Sequence, residues 1–272
     1  MTINRAALVA SLMTLVATLA TVAVPALPYT RGFAPDWVTV VATLLGALFT
    51  VLARPIAIGW IAALGLLWSA SGLVLDCFRA FFWVTGIPAG DFSQVDWAGM
   101  LVRALSLAAT ALVGALLLRR TRAPGGVWLG YTAFGLAFVY PVAKLYWWLG
   151  GEILRPTGFD QGLPVGELAA MAIGAVGSLA LVQSWGRRLP RRLVLVGGWT
   201  GAAALTTMGS LAAFGVLADV LGVTDGPIDL VDTAGLVMVG LIYGSWLLFG
   251  LAVGGATLAY QQATAPKVRH GV

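Results

Sequence analysis

The chain has 272 residues, of which 60% are hydrophobic and only 10% are charged. Soluble domains carry about 25% charged residues, and apolar segments of about 20 residues, long enough to cross a bilayer as a helix, recur along this whole chain, so the composition excludes a soluble protein. The net charge of +5 is explained by orientation in a lipid bilayer, and we predict no nucleic-acid partner.

The N-terminal segment is predicted to be the first membrane span. Arg5 followed by an apolar run and small residues would also fit a cleaved secretory signal. The run from Ala6 to about Val24 is longer than a usual signal core, and further spans follow, which favours a retained helix.

One cysteine, Cys77, and one histidine, His270, exclude an intrachain disulfide and a metal site built from these residue types. We therefore predict no metal and no cofactor.

The remaining apolar runs predict an all-α, polytopic transmembrane helix bundle of about eight spans, forming a single transmembrane domain over residues 1–272. The predicted spans, in chain order, are Ala6–Leu27, Trp37–Ala53, Ile56–Trp83, Trp97–Leu118, Val127–Gly150, Val165–Trp185, Leu193–Gly222 and Leu230–Tyr260.

Charge placement supports this count and sets the orientation. With the N-terminus in the cytoplasm, the cytoplasmic segments hold 11 of the 16 basic residues, as the positive-inside tendency requires. All 11 acidic residues fall in or beside the opposite segments. Both termini are thus predicted to be cytoplasmic. The cytoplasmic basic residues are Arg5, Arg54, Arg119, Arg120, Arg122, Arg187, Arg188, Arg191, Arg192, Lys267 and Arg269.

A two-helix unit is predicted to repeat along the chain. A shift of 65 residues places RAFFWVTG (Arg79–Gly86) on KLYWWLGG (Lys144–Gly151). Spans three and four would then correspond to spans five and six, over residues 56–122 and 123–192, as a parallel repeat. The alternative is chance similarity between two apolar helices with aromatic ends.

Ionisable side chains several residues inside the predicted spans form the candidate ligand site. Such groups cost ~2.5–3.5 kcal/mol at the bilayer centre, so they usually face partners or a wet cavity. Asp76 and Arg79 are three residues apart on a helix and able to pair, and Pro141 is expected to kink the helix below Lys144. We expect a shallow outward-facing cleft between spans three to six, lined by Asp76, Arg79, Arg103, Tyr140, Lys144, Trp147, Trp148 and Glu167.

Two alternatives to a ligand site are open for these residues. They would also suit a buried salt-bridge network that locks the bundle. Aromatic residues gather at membrane interfaces, and Lys144 could extend to the membrane surface from its position about six residues, roughly 9 Å, from the end of its span.

The segment Tyr140–Gly151, YPVAKLYWWLGG, resembles the Y-P-x-x-K-x-x-W-x-x-G-G signature of uncharacterised multi-pass membrane proteins of high-GC actinobacteria. The resemblance covers about one helix end and implies a location in a bacterial cytoplasmic membrane. It implies no activity and no catalytic residue.

Three functions follow as hypotheses. The first is a transporter or ligand-binding membrane protein for a small anionic or lipid-like ligand, with Arg79, Arg103 and Lys144 meeting the anion. Beyond the Pro141 kink no broken helix is expected near mid-membrane, which counts against ion-driven transport. The second is a non-catalytic partner subunit of a membrane complex. The third, and least favoured, is an outer-leaflet enzyme with Asp76 or Glu167 as the acid or base.

Overall fold

The computed structural model describes residues 2–25, 27–30, 32–52, 55–120, 126–155, 162–223 and 233–265. All regular structure in these ranges is helical. The helices are α1 (Ile3–Thr21), α2 (Asp36–Leu52), α3 (Ile56–Ser69), α4 (Leu73–Thr85), α5 (Trp97–Arg120), α6 (Val127–Leu136), α7 (Val139–Trp148), α8 (Val165–Val182), α9 (Arg191–Val220) and α10 (Thr233–Ala263), with short 3₁₀ turns at Pro28–Thr30, Gly90–Ser93 and Ser184–Arg188.

Six apolar segments of the described chain are long enough to cross a membrane: Ile3–Thr21, Ile56–Thr85, Trp97–Arg119, Val165–Val182, Arg191–Val220 and Val237–Ala263. They confirm the all-helical class and indicate an integral membrane protein with several spans. They do not confirm eight. The predicted second span is the 17-residue helix α2, and the predicted fifth span is divided into the ten-residue helices α6 and α7.

The orientation of the termini and the identity of the membrane stay predictions. Several charges on which the orientation depends lie outside the described residues, as does His270: Arg54, Arg122, Lys267, Arg269, Asp160, Asp225, Asp229 and Asp232.

The chain divides into two compact units. Unit 1 comprises Met1–Ala123 and Thr207–Leu236, and unit 2 comprises Pro124–Thr206 and Val237–Val272. Whether the two units form the single transmembrane domain predicted over residues 1–272 depends on how they associate. The single domain therefore stays a prediction.

Unit 1 is held together by close packing of α1, α2, α3 and α5. Its core combines large side chains such as Phe49 and Leu117 with small ones such as Ala42. A Cβ added at Gly65 would lie 2.8 Å from the Cβ of Ala42, so α2 and α3 approach at a distance that only glycine permits there. Such contacts drive helix association in lipid, where no hydrophobic effect acts between helices.

Unit 2 packs α6 against α8, with α10 adding Phe249, Val253 and Ala256 to a core that includes Leu129 and Ala133.

Two of the predicted spans are broken near their middle. The segment Ile56–Thr85 is interrupted at residues 70–72, between α3 and α4, where Gly72 has φ +82°. The predicted span Val127–Gly150 is interrupted at residues 137–138, between α6 and α7. The sequence led us to expect an interruption only at Pro141, so the break at residues 70–72 was not predicted. Ala137 follows Gly72 by 65 residues, so the breaks occupy corresponding positions of the predicted repeat, which itself stays a prediction.

The break before α7 has a local cause. Pro141 lacks an N–H, and its ring would meet the carbonyl of Ala137, four residues earlier. Proline is tolerated in the first turn of a helix, and the chain resolves the conflict by starting α7 at Val139. The kink expected at Pro141 is thus an interruption just before it.

Candidate functional site

A buried ion pair between Asp76 and Arg103 organises the first cluster of polar side chains in unit 1. Asp76 lies in the first turn of α4 and is fully buried, and Arg103 on α5 is 7% exposed. Arg103 donates through Nε to Oδ2 of Asp76 and through Nη2 to Oδ2 of Asp96, the latter at 3.1 Å. Tyr29 donates its hydroxyl proton to Oδ1 of Asp76 at 2.9 Å. Both carboxylate oxygens of Asp76 are therefore engaged.

Asp96 ties this cluster to the beginning of α5. Its Oδ1 accepts the backbone N–H of Gly99 at 2.9 Å, as an N-cap side chain does. Its own N–H donates to the Tyr29 hydroxyl at 3.0 Å. The cluster holds two carboxylates and one guanidinium, and the positive end of the α5 dipole offsets part of the remaining negative charge. We call Tyr29, Asp76, Asp96 and Arg103 the Asp76–Arg103 cluster.

Tyr29 stays a neutral donor over the physiological range. It lies in the 3₁₀ turn Pro28–Thr30, outside the spans. Burial raises its pKa to about 12, and the negative charge of Asp76 acts in the same direction while the N–H of Asp96 opposes it.

Arg79 lies beside this cluster and is held by a different kind of contact. Its Cζ lies 3.7 Å from the centroid of the Tyr29 ring and 4.6 Å from that of Phe92. Nη1 donates to the carbonyls of Asp91 and Gln94, at 3.1 and 3.4 Å. Among the described residues, no carboxylate lies within 4 Å of this guanidinium, and its buried Nε has no hydrogen-bond partner.

The pairing of Asp76 with Arg79 expected from their spacing is therefore not formed. Asp76 turns toward α5 and Arg103. Arg79, three residues later, turns toward the 3₁₀ turn Gly90–Ser93 and the residue after it.

Lys144 and Glu167 form a second ion pair, in unit 2. Lys144 Nζ lies 3.7 Å from Oε1 of Glu167 and 5.6 Å from the centroid of the Tyr140 ring. The ring of Tyr140 in turn contacts the ring of Tyr243 in a tilted arrangement and that of Trp246 in an edge-to-face arrangement. Lys144 is thus paired within the protein and does not simply extend to the lipid head groups.

The two adjacent tryptophans of the segment Tyr140–Gly151 lie in different surroundings. Trp147 is 3% exposed, and its Nε1 donates to the carbonyl of Ile153 at 3.0 Å. Trp148 is 43% exposed. Trp147 therefore anchors the chain that follows α7, while Trp148 occupies the position expected of an interfacial aromatic.

The predicted site residues thus divide between the units. Asp76, Arg79 and Arg103 come together in unit 1, and Tyr140, Lys144 and Glu167 in unit 2. The cleft predicted between spans three to six draws on both units and stays a prediction.

Sequence reasoning missed three partners that lie between helices: Tyr29, Phe92 and Asp96. For Asp96 a signal was present, because it directly precedes an apolar helix at an N-cap position. No local pattern marks Tyr29 or Phe92.

Within the described ranges, no three His, Cys, Asp or Glu side chains are arranged to hold a metal ion. No protein-family model, curated protein or solved structure matches the chain.

Proposed function

We propose that this membrane protein binds a small anionic or lipid-like ligand at Arg79, as a transporter or a membrane binding protein. The observation that supports the proposal most is the state of the Arg79 guanidinium. It is flanked by two aromatic rings and faces no carboxylate among the described residues, whereas Arg103 meets two and Lys144 meets one.

The unused N–H donors of this guanidinium suit an anion with two oxygens. Arginine presents five N–H donors in a planar fork, and the hydrogen bonds of Arg79 to described residues all use Nη1. The edge formed by Nε and Nη2 matches a carboxylate or a phosphate in the bidentate arrangement. A buried Nε without a partner is costly, and a bound anion would remove that cost.

Tyr29 links this site to a rigid support. Its ring lies against Arg79, and its hydroxyl is fixed by Asp76 and by the N–H of Asp96. A cation between aromatic faces gains about 0.5–2 kcal/mol, more when it is desolvated. The Asp76–Arg103 cluster thereby positions the aromatic surface against which the ligand-binding cation rests.

The interrupted spans favour transport over static binding. Transporters commonly place their sites at discontinuous helices near the bilayer midplane. The span Ile56–Thr85 is interrupted at residues 70–72, and Arg79 lies two turns beyond that interruption on α4.

An enzymatic role finds less support in the candidate bases. Both oxygens of Asp76 accept hydrogen bonds from Tyr29 and Arg103, and Glu167 faces Lys144. A general base needs an oxygen within reach of a substrate proton, and Asp76 offers none.

The experiment is native mass spectrometry of the full chain purified in a mild non-ionic detergent. We expect the wild-type protein to retain an anionic small molecule or lipid that Arg79→Gln releases. Lys144→Gln, which also removes one intramembrane cation, is the matched control and should retain it. Equal retention by wild type and Arg79→Gln would contradict the proposal, and a co-purifying protein lost with Arg79→Gln would favour the partner-subunit alternative.

A further inference from the structure

An apolar groove lies within unit 2, and its lining includes neither Lys144 nor Glu167. Its volume is about 590 Å³, within the ~300–1,000 Å³ range of small-molecule sites. It runs between the second half of α8, the 3₁₀ turn Ser184–Arg188 and the beginning of α9, with α10 contributing its floor. The residues that line it include Ile173, Gly177, Trp185, Leu193, Gly197 and Phe249.

The groove is open because glycine occupies positions where a side chain would fill it. A Cβ added at Gly177, Gly197 or Gly201 would meet no atom within 4 Å. Its rim is apolar and exposed, with Ile173 at 74% and Leu193 at 65% exposure. In a bilayer these surfaces face hydrocarbon, so the groove is accessible to an acyl chain.

Four arginines lie at one end of this groove, within residues 187–192, and they alternate with its lining residues Leu189 and Leu193. Arg187, Arg188 and Arg192 are exposed. Among the described residues, no carboxylate lies within 4 Å of these arginines. The positive charge at this end is therefore uncompensated by the described part of the chain.

The position of the arginines relative to the groove is fixed by the 3₁₀ turn. Gly186 is buried, and a Cβ there would overlap the carbonyl of Ala180, so only glycine lets the turn fold back onto α8. The hydroxyl of Tyr260 donates to the Gly186 carbonyl at 3.4 Å.

A second contact attaches the beginning of α9 to the residue that follows α10. Arg191 donates through Nε to Oγ1 of Thr264 at 3.0 Å. The basic end and the apolar groove thus form one built site.

We propose that this groove binds an anionic phospholipid, with one acyl chain along α8 and α9 and its phosphate on Arg187, Arg188 and Arg192. Basic residues at the membrane end of transmembrane helices attract anionic head groups, and guanidinium groups bind phosphate in the bidentate arrangement. An apolar partner helix would fill the groove but leave the arginines without counter-charge. This site shares no residue with the Arg79 site and does not depend on it.

The test uses the full chain, purified in a mild non-ionic detergent, stripped of lipid and titrated with phosphatidylglycerol or phosphatidylcholine under native mass spectrometry. We expect one tightly held phosphatidylglycerol and at least tenfold weaker binding of phosphatidylcholine. Each arginine removed should weaken phosphatidylglycerol binding about fivefold, since one basic residue near an anionic surface contributes about 1 kcal/mol.

Two pairs of matched variants separate charge from shape. Arg187→Gln/Arg188→Gln removes the charge, and Arg5→Gln/Arg119→Gln makes the same change in net charge at exposed arginines of unit 1. Gly197→Leu fills the groove, and Gly166→Leu places the same side chain in open space on α8 outside it. Leucine is a better helix former than glycine, so neither glycine variant should weaken its helix.

The proposal predicts loss of the bound lipid in the first member of each pair and retention in the second. Retention by both test variants would overturn it, as would equal binding of the two lipids. Equal competition by glycerol phosphate, which carries the charge without the chains, would overturn the role of the groove. Filling of the groove by a second copy of the chain, detected as a lipid-free dimer, would also overturn it.

Discussion

The ring of Tyr29 lies 3.7 Å from the guanidinium carbon of Arg79, while the hydroxyl of the same tyrosine donates to Asp76. One side chain therefore touches both the buried ion pair of unit 1 and the cation that we assign to the ligand. The sequence analysis predicted that Asp76, Arg79 and Arg103 line one cleft. In the structure, the Asp76–Arg103 cluster and Arg79 have different roles. The cluster stabilises the fold of unit 1, and Arg79 is the cation that we propose binds the ligand.

The high pKa of Tyr29 gives a prediction for alkaline pH. The pKa is about 12 in the folded protein, against 10.0 for an ordinary tyrosine, so the folded state holds the phenolic proton more tightly. The stabilisation from neutral Tyr29 is complete below pH 10 and is lost as the pH rises toward 12, because the folded state then binds more protons than the unfolded state.

A titration of tyrosinate absorbance measures this directly. The difference between wild type and Tyr29→Phe should show one tyrosine that ionises near pH 12. A difference curve with its midpoint at pH 10 would show that Tyr29 is open to solvent and that its contact with Asp76 is absent.

The two ion pairs should differ strongly in their effect on stability. Asp76→Asn removes the fully buried carboxylate of the cluster. Breaking a buried pair costs up to about 3–5 kcal/mol, and Asp96, which stays paired with Arg103, lowers that cost. Lys144→Gln breaks a looser pair, 3.7 Å long with Glu167 partly exposed, and pairs of that kind contribute about 0–1 kcal/mol.

Thermal unfolding of both variants in the same detergent compares the two pairs. The double variant Asp76→Asn/Arg103→Gln should be less stable than Asp76→Asn, because it also leaves the Asp96 carboxylate without the Arg103 guanidinium. An equal and small effect of Asp76→Asn and Lys144→Gln would rule out a special role for the buried pair.

Gly72 should be the least replaceable glycine of the interrupted span. Its φ of +82° disfavours any side chain, and an added Cβ would overlap the ring of Phe33, which packs against Arg103. Gly86 also has a positive φ, +67°, but nothing lies within 4 Å of its Cβ position.

The backbone cost of a left-handed residue, about 1–2 kcal/mol, is therefore common to Gly72→Ala and Gly86→Ala. Only Gly72→Ala adds the clash, and its loss of stability in the unfolding measurement should be clearly larger. Equal losses would mean that Phe33 moves freely and does not fix the interruption.

Cysteine labelling decides whether α2 crosses the membrane. The background is Cys77→Ala, which removes the single cysteine. With eight spans, Ser93→Cys lies outside the cell and Arg119→Cys inside. With the six long spans alone, α2 does not cross and both positions change sides.

We expect α2 to cross, since with a cytoplasmic N-terminus this crossing keeps the arginines near Arg119 on the cytoplasmic side. A membrane-impermeant maleimide applied to intact cells should therefore label Ser93→Cys and spare Arg119→Cys. Labelling of Arg119→Cys alone would mean that α2 does not cross and would contradict the eight-span prediction.

Much of the helical framework could be predicted from the sequence, because hydrophobic length alone specifies a membrane-spanning helix. The spans beginning at Ile56, Trp97 and Val165 start at the predicted residue. The interruption of a span is harder to predict. Gly72 gave no stronger signal than the other 34 glycines of the chain, and the ring that excludes a side chain there belongs to Phe33, 39 residues away.

The candidate site was predicted in part. Burial of ionisable residues in spans correctly indicated that Asp76, Arg103, Lys144 and Glu167 would find partners. The choice of partner was not predictable from helical spacing, because Asp76 pairs across 27 residues with Arg103 instead of along its own helix with Arg79. Tyr29 and Phe92 lie in connections between α-helices. The conformation of such a connection is not predicted by a periodic pattern in the sequence.

The most direct test of the central claim is an experimental density map of the protein purified from its membrane, inspected at the Nε–Nη2 edge of Arg79. The account predicts density for a non-protein carboxylate or phosphate group within hydrogen-bonding distance of both nitrogens, and its absence from the map of Arg79→Gln. A protein carboxylate occupying that edge in the wild-type map, or an edge that meets only water, would contradict it.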